Sequence, residues 1–265
     1  MLSHVAPAGP VGGRFLAFDT STDRMSVALS DGMRVWQHEG PGAAQSSATL
    51  IPVILQLLDG AGLALRDLDA IAFGRGPGSF TGLRTACAVA QGLALGAGVP
   101  VLPVDTLMVV AEQARWQYSA SAPWPETPQD VPLQVSALLD ARMNEMYVQH
   151  YVFAAGTCRS LGPCMLLRPE QLTLAAVPGA SGLLAGNALE VYAARLPALP
   201  AGWQQLHVLP SAAALLRLAP ALLASGQAVD AARALPLYVR DKVAFTTEER
   251  RLAKAAASGS ALPLQ

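Results

Sequence analysis

Residues 71–107 read IAFGRGPGSFTGLRTACAVAQGLALGAGVPVLPVDTL, and this stretch decides the fold. It begins inside a short apolar run, residues 70–73, that is bounded by glycine and too short for a helix, which predicts a buried strand. Gly74-Arg75-Gly76-Pro77-Gly78-Ser79 then interrupts regular structure, and a long helix is predicted from about 80 to 95. A second buried strand over 99–103 and a helix over about 106–116 complete the unit. Strand, helix, strand and helix in this order add crossover strands to a sheet.

Upstream, residues 15–18 are an apolar strand that ends at Asp19, and 25–30 alternate like a second strand. Asp31-Gly32 signals a tight turn into a third strand at 33–38, and a helix is predicted over 46–59, stopped by Gly60 and Gly62. Downstream the same order recurs. Strands are predicted at 133–139, ending at Asp140, then at 145–153 and 164–167. Helix 169–175, strand 183–185, helix 187–195, strand 206–209 and helix 212–224 follow. Between the halves lies SASAPWPETPQDVP, whose prolines mark a linker. The expected organisation is a flexible tail at 1–13, a lobe at 14–118, a linker at 119–132, a second lobe at 133–245 and a flexible tail at 246–265. Each half becomes a mixed five-stranded sheet with helices on both faces. This is the ribonuclease-H-like unit, and two in tandem give the α/β architecture of actin, Hsp70 and sugar kinases.

A chain of 265 residues, 52% hydrophobic and 14% charged, has the apolar material for two such cores. Its formal net charge of −1 supplies no general attraction to polyanions, so any action on nucleic acid would draw most phosphate contacts from a partner. Cys87, Cys158 and Cys164 are odd in number and form no CxxC, which suits reduced thiols in the cytoplasm. No apolar run reaches membrane-spanning length, and the first residues lack a basic region followed by an apolar core.

Candidate chemistry gathers at three turns. Asp19-Thr20-Ser21-Thr22 follows the first strand, where an acid can hold metal-bound water and hydroxyls can meet phosphate. Asp140-Ala141-Arg142 occupies the equivalent turn of the second half, with Glu145 placed to pair with Arg142. Gly76, Gly78 and Ser79 precede the long helix, whose N-terminus favours anions, although no lysine follows as in a P-loop. Ser79 is also a natural N-cap. The weak nucleotide cleft expected here is therefore built from Asp19, Thr20, Ser21, Thr22, Gly76, Gly78, Ser79 and Asp140. The four histidines are scattered, so no metal site is expected, and no nucleophile has an adjacent base. The helix at 46–59 is apolar around most of its circumference, and the one at 82–98 is rich in Ala and Gly. Both fit a face that packs against another chain.

The run at 71–107, together with LAFDTST at 16–22 and LLDARMNEMY at 138–147, resembles the TsaB (YeaZ) family. The resemblance implies a non-catalytic partner of the paralogue TsaD, working with the ATPase TsaE to form the threonylcarbamoyl group on adenosine 37 of tRNAs that read codons beginning with A. It implies indirect contact with tRNA, and a homodimer when TsaD is absent. It implies no firmly held cofactor, with ATP or ADP restricted to the partner interface or to weak binding in the cleft. TsaD carries an HxxxH pair that holds its metal; the matching positions here are Thr106 and Val110, which cannot replace it. The family usually starts its first helix with His-Ser, where Gln45-Ser46 stands. From the family, the partner surface comprises the first two helices, and Leu50, Val53, Ile54, Leu57, Leu83, Ala86 and Ala90 are expected to include its contacts. The competing readings are an ATP-binding actin-like small-molecule kinase and a metal-dependent carbamoyltransferase in its own right.

Overall fold

The computed structural model describes residues 3–4, 12–42, 45–121 and 131–240, with only the backbone of residues 3, 4 and 121 described. The first sheet joins β1 (Ser3–His4), β2 (Arg14–Asp19), β3 (Arg24–Asp31), β4 (Val35–Pro41), β5 (Ala70–Gly76) and β6 (Val101–Asp105), with β2 and β5 as continuous buried runs. Their spatial order is β1-β4-β3-β2-β5-β6, antiparallel among β1 to β4 and parallel from β2 through β5 to β6. The sheet thus has six strands rather than the expected five, because part of the lead-in pairs with β4 through Ser3↔Gln37 and His4↔Trp36.

The second sheet joins β7 (Leu133–Asp140), β8 (Met146–Ala154), β10 (Met165–Leu167), β11 (Ser181–Gly186) and β12 (Trp203–Leu206) in the order β10-β8-β7-β11-β12. A hairpin strand the sequence did not announce, β9 (Thr157–Ser160), pairs with β8. Its turn is Ala155-Gly156, both with positive φ. The last strand lies upstream of the expected 206–209. The helix expected at 169–175 is one 3₁₀ turn, Pro169–Gln171, and that at 187–195 shrinks to α4 (Ala188–Val191) plus a 3₁₀ turn. Pro178-Gly179 and Pro197 limit what either segment can continue as helix.

Both faces of the first sheet are buried. Leu16, Phe18, Val27, Ile71 and Phe73 pack under α1 (Ser46–Ala61) and α2 (Phe80–Ala97). The alternate residues, Phe15, Ala17, Ala28, Ala70 and Ala72, meet α5 (Ala212–Ala224), which comes from the C-terminal half of the chain. The exchange is mutual: Leu107, Val110, Ala111 and Ala114 of α3 (Thr106–Ser121) pack on Val135, Ala137, Leu139 and Leu183 of the second sheet. The lobes in space therefore differ from the sequence halves expected at 14–118 and 133–245. Apolar periodicity fixes which face of a helix is buried but not which sheet buries it. Most of the expected linker, and all of the expected 246–265 tail, lie outside the described residues.

The two exchanged helices meet at a buried cluster. Glu112 on α3 takes Arg115 Nε at 2.7 Å and Arg217 Nε, from α5, at 2.7 Å. Gln113 Oε1 accepts from Arg217 Nη2 at 3.0 Å and from the Ser211 hydroxyl at 2.8 Å. Among the described residues, no helix is long and apolar enough to cross a membrane.

Candidate functional site

A cleft of about 920 Å³ opens between the lobes. Ser21, Thr22, Gly78, Ser79 and Asp140 line it, together with Arg24, Glu39, Arg142, Asn187, Glu190, His207 and Arg240. The remaining expected cleft residues stand behind its wall. Asp19 is 1% exposed, and its Oδ1 accepts from the Ser21 amide at 2.9 Å and the Ser21 hydroxyl at 2.6 Å. Its Oδ2 is buried without a hydrogen-bond partner among the described residues, and burial holds the carboxyl above its ordinary pKa. Thr20 donates to the Gly82 carbonyl at 2.7 Å and is wholly buried. Gly76 presses on the chain near Leu237.

The glycine-rich segment is packed against its own chain. A Cβ on Gly82 would run into the Thr20 carbonyl oxygen, so α2 begins in direct contact with the 19–22 turn. Ser79 donates its amide to the Ser21 carbonyl at 2.7 Å. It stands at the N-cap of α2, yet its hydroxyl makes no capping bond, contrary to the role expected of it. The peptide Gly76–Pro77 is cis. The loop is thus a seat for a helix on a sheet, with only Gly78 and Ser79 facing the cleft.

On the opposite wall, Arg142, Met143 and Asn144 all adopt left-handed backbone, with φ of 62°, 56° and 61°. Such residues cost roughly 1–2 kcal/mol apiece outside glycine, least for asparagine, so the surroundings must hold the loop. They do. The Asp140 amide donates to Asn187 Oδ1 at 2.9 Å, and the Tyr192 hydroxyl donates to Asp140 Oδ1 at 2.8 Å and contacts the Glu145 carbonyl at 3.1 Å. Burial and the Asp140 carboxylate push the Tyr192 hydroxyl up to about 12, so it remains a donor at neutral pH. Arg195 Nη1 reaches Asn144 Oδ1 at 3.0 Å. Glu145 pairs with Arg240 at 2.8 Å rather than with Arg142, which turns back to Asp140 at 3.2 Å. Asn187, Tyr192, Arg195 and Arg240 were not singled out in the sequence, for they lie 42–100 residues from the loop and share no motif with it.

The charges of the cleft are balanced internally. Arg24 pairs with Glu39 at 2.9 Å, Arg142 with Asp140, and Arg240 with Glu145. A polyphosphate would have to compete for every arginine of the lining. Asp23 and Glu190 add further negative charge to the same walls. Among the described residues no group of three or more His, Cys, Asp or Glu gathers in a metal-binding arrangement. Thr106 and Val110, the positions that the resemblance sets against the histidine pair of TsaD, carry other work. Thr106 Oγ1 accepts the Gly76 amide at 3.1 Å, and Val110 is wholly buried in apolar packing. A hydroxyl so engaged and an isopropyl group do not fit a metal bound through two imidazoles.

The seven residues expected to include partner contacts lie inside the chain's own packing. Leu50, Val53, Ile54, Leu57, Leu83, Ala86 and Ala90 all point into their own lobe and are buried there. The outward stripe of α1 is Ala48, Ile51, Pro52 and Leu55, and that of α2 is Thr85, Ala88, Gly92 and Leu95. Leu55 is 52% exposed and Leu95 79%.

Two mixed sheets walled by helices, exchanging one helix each across a cleft, define the actin/Hsp70/sugar-kinase class. Residues 41–260 match the family model described as TsaD: tRNA N6-adenosine threonylcarbamoyltransferase. The tRNA threonylcarbamoyladenosine biosynthesis protein TsaB of Escherichia coli is 30% identical over 88% of this chain and 96% of its own length. That of Haemophilus influenzae is 42% identical over 52% of this chain and 53% of its own. A solved structure, YeaZ from Pseudomonas aeruginosa, superposes with a TM-score of 0.71 at 39% identity, over 86% of this chain and all of that one. The chain belongs to the TsaB (YeaZ) family, which takes part in tRNA threonylcarbamoyladenosine biosynthesis.

Proposed function

We propose that the chain is a non-catalytic subunit that docks a TsaD-like paralogue through the outward faces of α1 and α2, and so supports threonylcarbamoyl transfer to adenosine 37 of tRNA. The observation that carries this reading is the pair of exposed stripes just described. Ile51 and Leu55 lie on one helix; the other presents small residues with Leu95. Apolar groups of this kind gain most from burial against a partner, and small residues let a second helix approach closely. Alone, the chain would use the same face for a homodimer. A TsaE-like ATPase joins the assembly, and tRNA is held mainly by the partner, consistent with the net charge of −1.

Two chemical features favour a subunit over an enzyme. Thr106 and Val110 offer no metal ligands, and the cleft arginines are already paired, which weakens both the transferase and the kinase readings. Any ATP or ADP binding is assigned to the partner interface or to weak occupation of the cleft, in a cytoplasmic protein. The test is co-purification with the TsaD-like paralogue and assay of tRNA modification with and without this chain. Leu55→Glu is expected to abolish the complex and the modification together. Full binding by that variant would remove the α1 face from the interface, and threonylcarbamoyl transfer by the isolated chain would overturn the non-catalytic assignment.

A further inference from the structure

After α5 the chain returns to the first lobe, where Val229 pairs with Val101, and then runs along α2 to the cleft. Its contacts on α2 follow one stripe, Phe80, Arg84, Cys87 and Gln91, at the four-three-four spacing of a helix face. The Ala234 carbonyl accepts from Gln91 Nε2 at 2.8 Å and from Cys87 Sγ at 3.2 Å. The Tyr238 ring lies 5.2 Å from that of Phe80, and its hydroxyl accepts from Arg84 Nε at 3.1 Å. Between these anchors the Leu237 amide donates to the Arg75 carbonyl at 2.7 Å, and a side chain on Gly76 would strike the Leu237 carbonyl. Two residues beyond Tyr238 the chain grips the other lobe. Arg240 Nη2 donates to the Ala141 carbonyl at 3.0 Å and pairs with Glu145 at 2.8 Å, while Nη1 meets Met143 Sδ at 3.1 Å.

We propose that residues 234–240 form a strap that couples the position of α2 to the left-handed loop on the far wall of the cleft. The two anchor points, Tyr238 and Arg240, are too close in sequence to move independently. The cleft cannot widen without slackening one of them. The strap lies on α2 about a quarter-turn from the outward stripe of Thr85, Ala88, Gly92 and Leu95, so a load on that stripe reaches the cleft through the same helix. The coupling itself stands whether or not a paralogue is the occupant of that stripe.

Hydrogen exchange of the full-length chain tests the coupling across the lobes. Tyr238 has its ring and hydroxyl contacts on α2, on the first lobe. Tyr238→Ala is nevertheless expected to speed exchange of the amides between Ala141 and Glu145 on the second lobe by about fivefold. A coupling of ~1 kcal/mol, made up of the ring contact with Phe80 and the bond from Arg84, gives that factor. Tyr238→Phe, which keeps the ring and loses only the bond from Arg84, is expected to move the same amides less and provides the readout should the alanine variant fail to fold. Arg240→Ala is expected to speed exchange at both the 141–145 loop and the first turn of α2. Loop amides unchanged in both Tyr238 variants, or an Arg240→Ala response confined to the loop, would overturn the proposal.

Discussion

Arg217 Nε sits 2.7 Å from Glu112 Oε1, joining α5, which walls the first sheet, to α3, which walls the second. The Glu112 side chain is almost wholly buried, and two arginines converge on it. Removing the carboxylate leaves the largely buried Arg217 and the part-exposed Arg115 without their shared counter-charge, a cost of about 3 kcal/mol that falls mainly on Arg217. Glu112→Ala should therefore lower Tm by roughly 6–12 °C for a protein of this size. Calorimetry decides the matter, and a change under about 2 °C would mean that water replaces the carboxylate.

Asp19 should give the protein a measurable pH dependence. Burial holds its carboxyl above the ordinary carboxylate range, so the folded state binds this proton more tightly than the unfolded chain does. The stabilisation is complete below the unfolded pKa and is lost as pH rises through the raised folded pKa. Asp19→Asn keeps an acceptor for the Ser21 amide and hydroxyl but cannot ionise. Urea unfolding from about pH 4 to 7 should show a steeper loss of stability in the parent than in the variant. Parallel curves would place another carboxyl in charge of the slope.

Two alanines on α2 should separate folding from assembly. Ala86 is wholly buried against the first sheet, whereas Ala88 belongs to the outward stripe. Ala86→Glu puts a charge in the core and should cost about 4 kcal/mol or more, visible as a Tm drop of about 10 °C or more. Ala88→Glu should change stability by about 0.5 kcal/mol or less and yet leave a monomer in sedimentation velocity. If Ala88→Glu still associates, the contact lies elsewhere on the molecule.

Tyr192→Phe removes the hydroxyl that holds Asp140 and the Glu145 carbonyl. Loss of these bonds to a charged and a backbone acceptor should cost about 1.5–3 kcal/mol. Chemical denaturation measures it; a cost below about 0.5 kcal/mol would show the left-handed loop is held by Arg240 and Asn187 instead.

The strands were readable because buried runs such as 15–18 and 70–73 leave no other placement for their side chains. The doubled order of strands was readable for the same reason, whereas two helices expected in the second half are a 3₁₀ turn and the shortened α4. Three things were not. Helix exchange is invisible to periodicity, since Leu215 or Val110 shows only that some sheet covers it. The outward face of α1 was misjudged because Leu50, Val53, Ile51 and Leu55 are equally apolar, and only packing tells the inner pair from the outer. The site around Asp140 depends on Asn187, Tyr192 and Arg240, which no local pattern ties to it. The turns at Ser21 and Ser79 line the cleft, because a sheet that carries crossover helices exposes its turns along one edge.

The traded helices make each half of the polypeptide an unfinished object. A chain cut between residues 121 and 131 would give an N-terminal fragment in which Phe15, Ala17 and Val35 have lost their roof, and a C-terminal fragment stripped of Leu107 and Val110. Neither piece could be grafted, truncated or inherited separately without the other arriving to complete it.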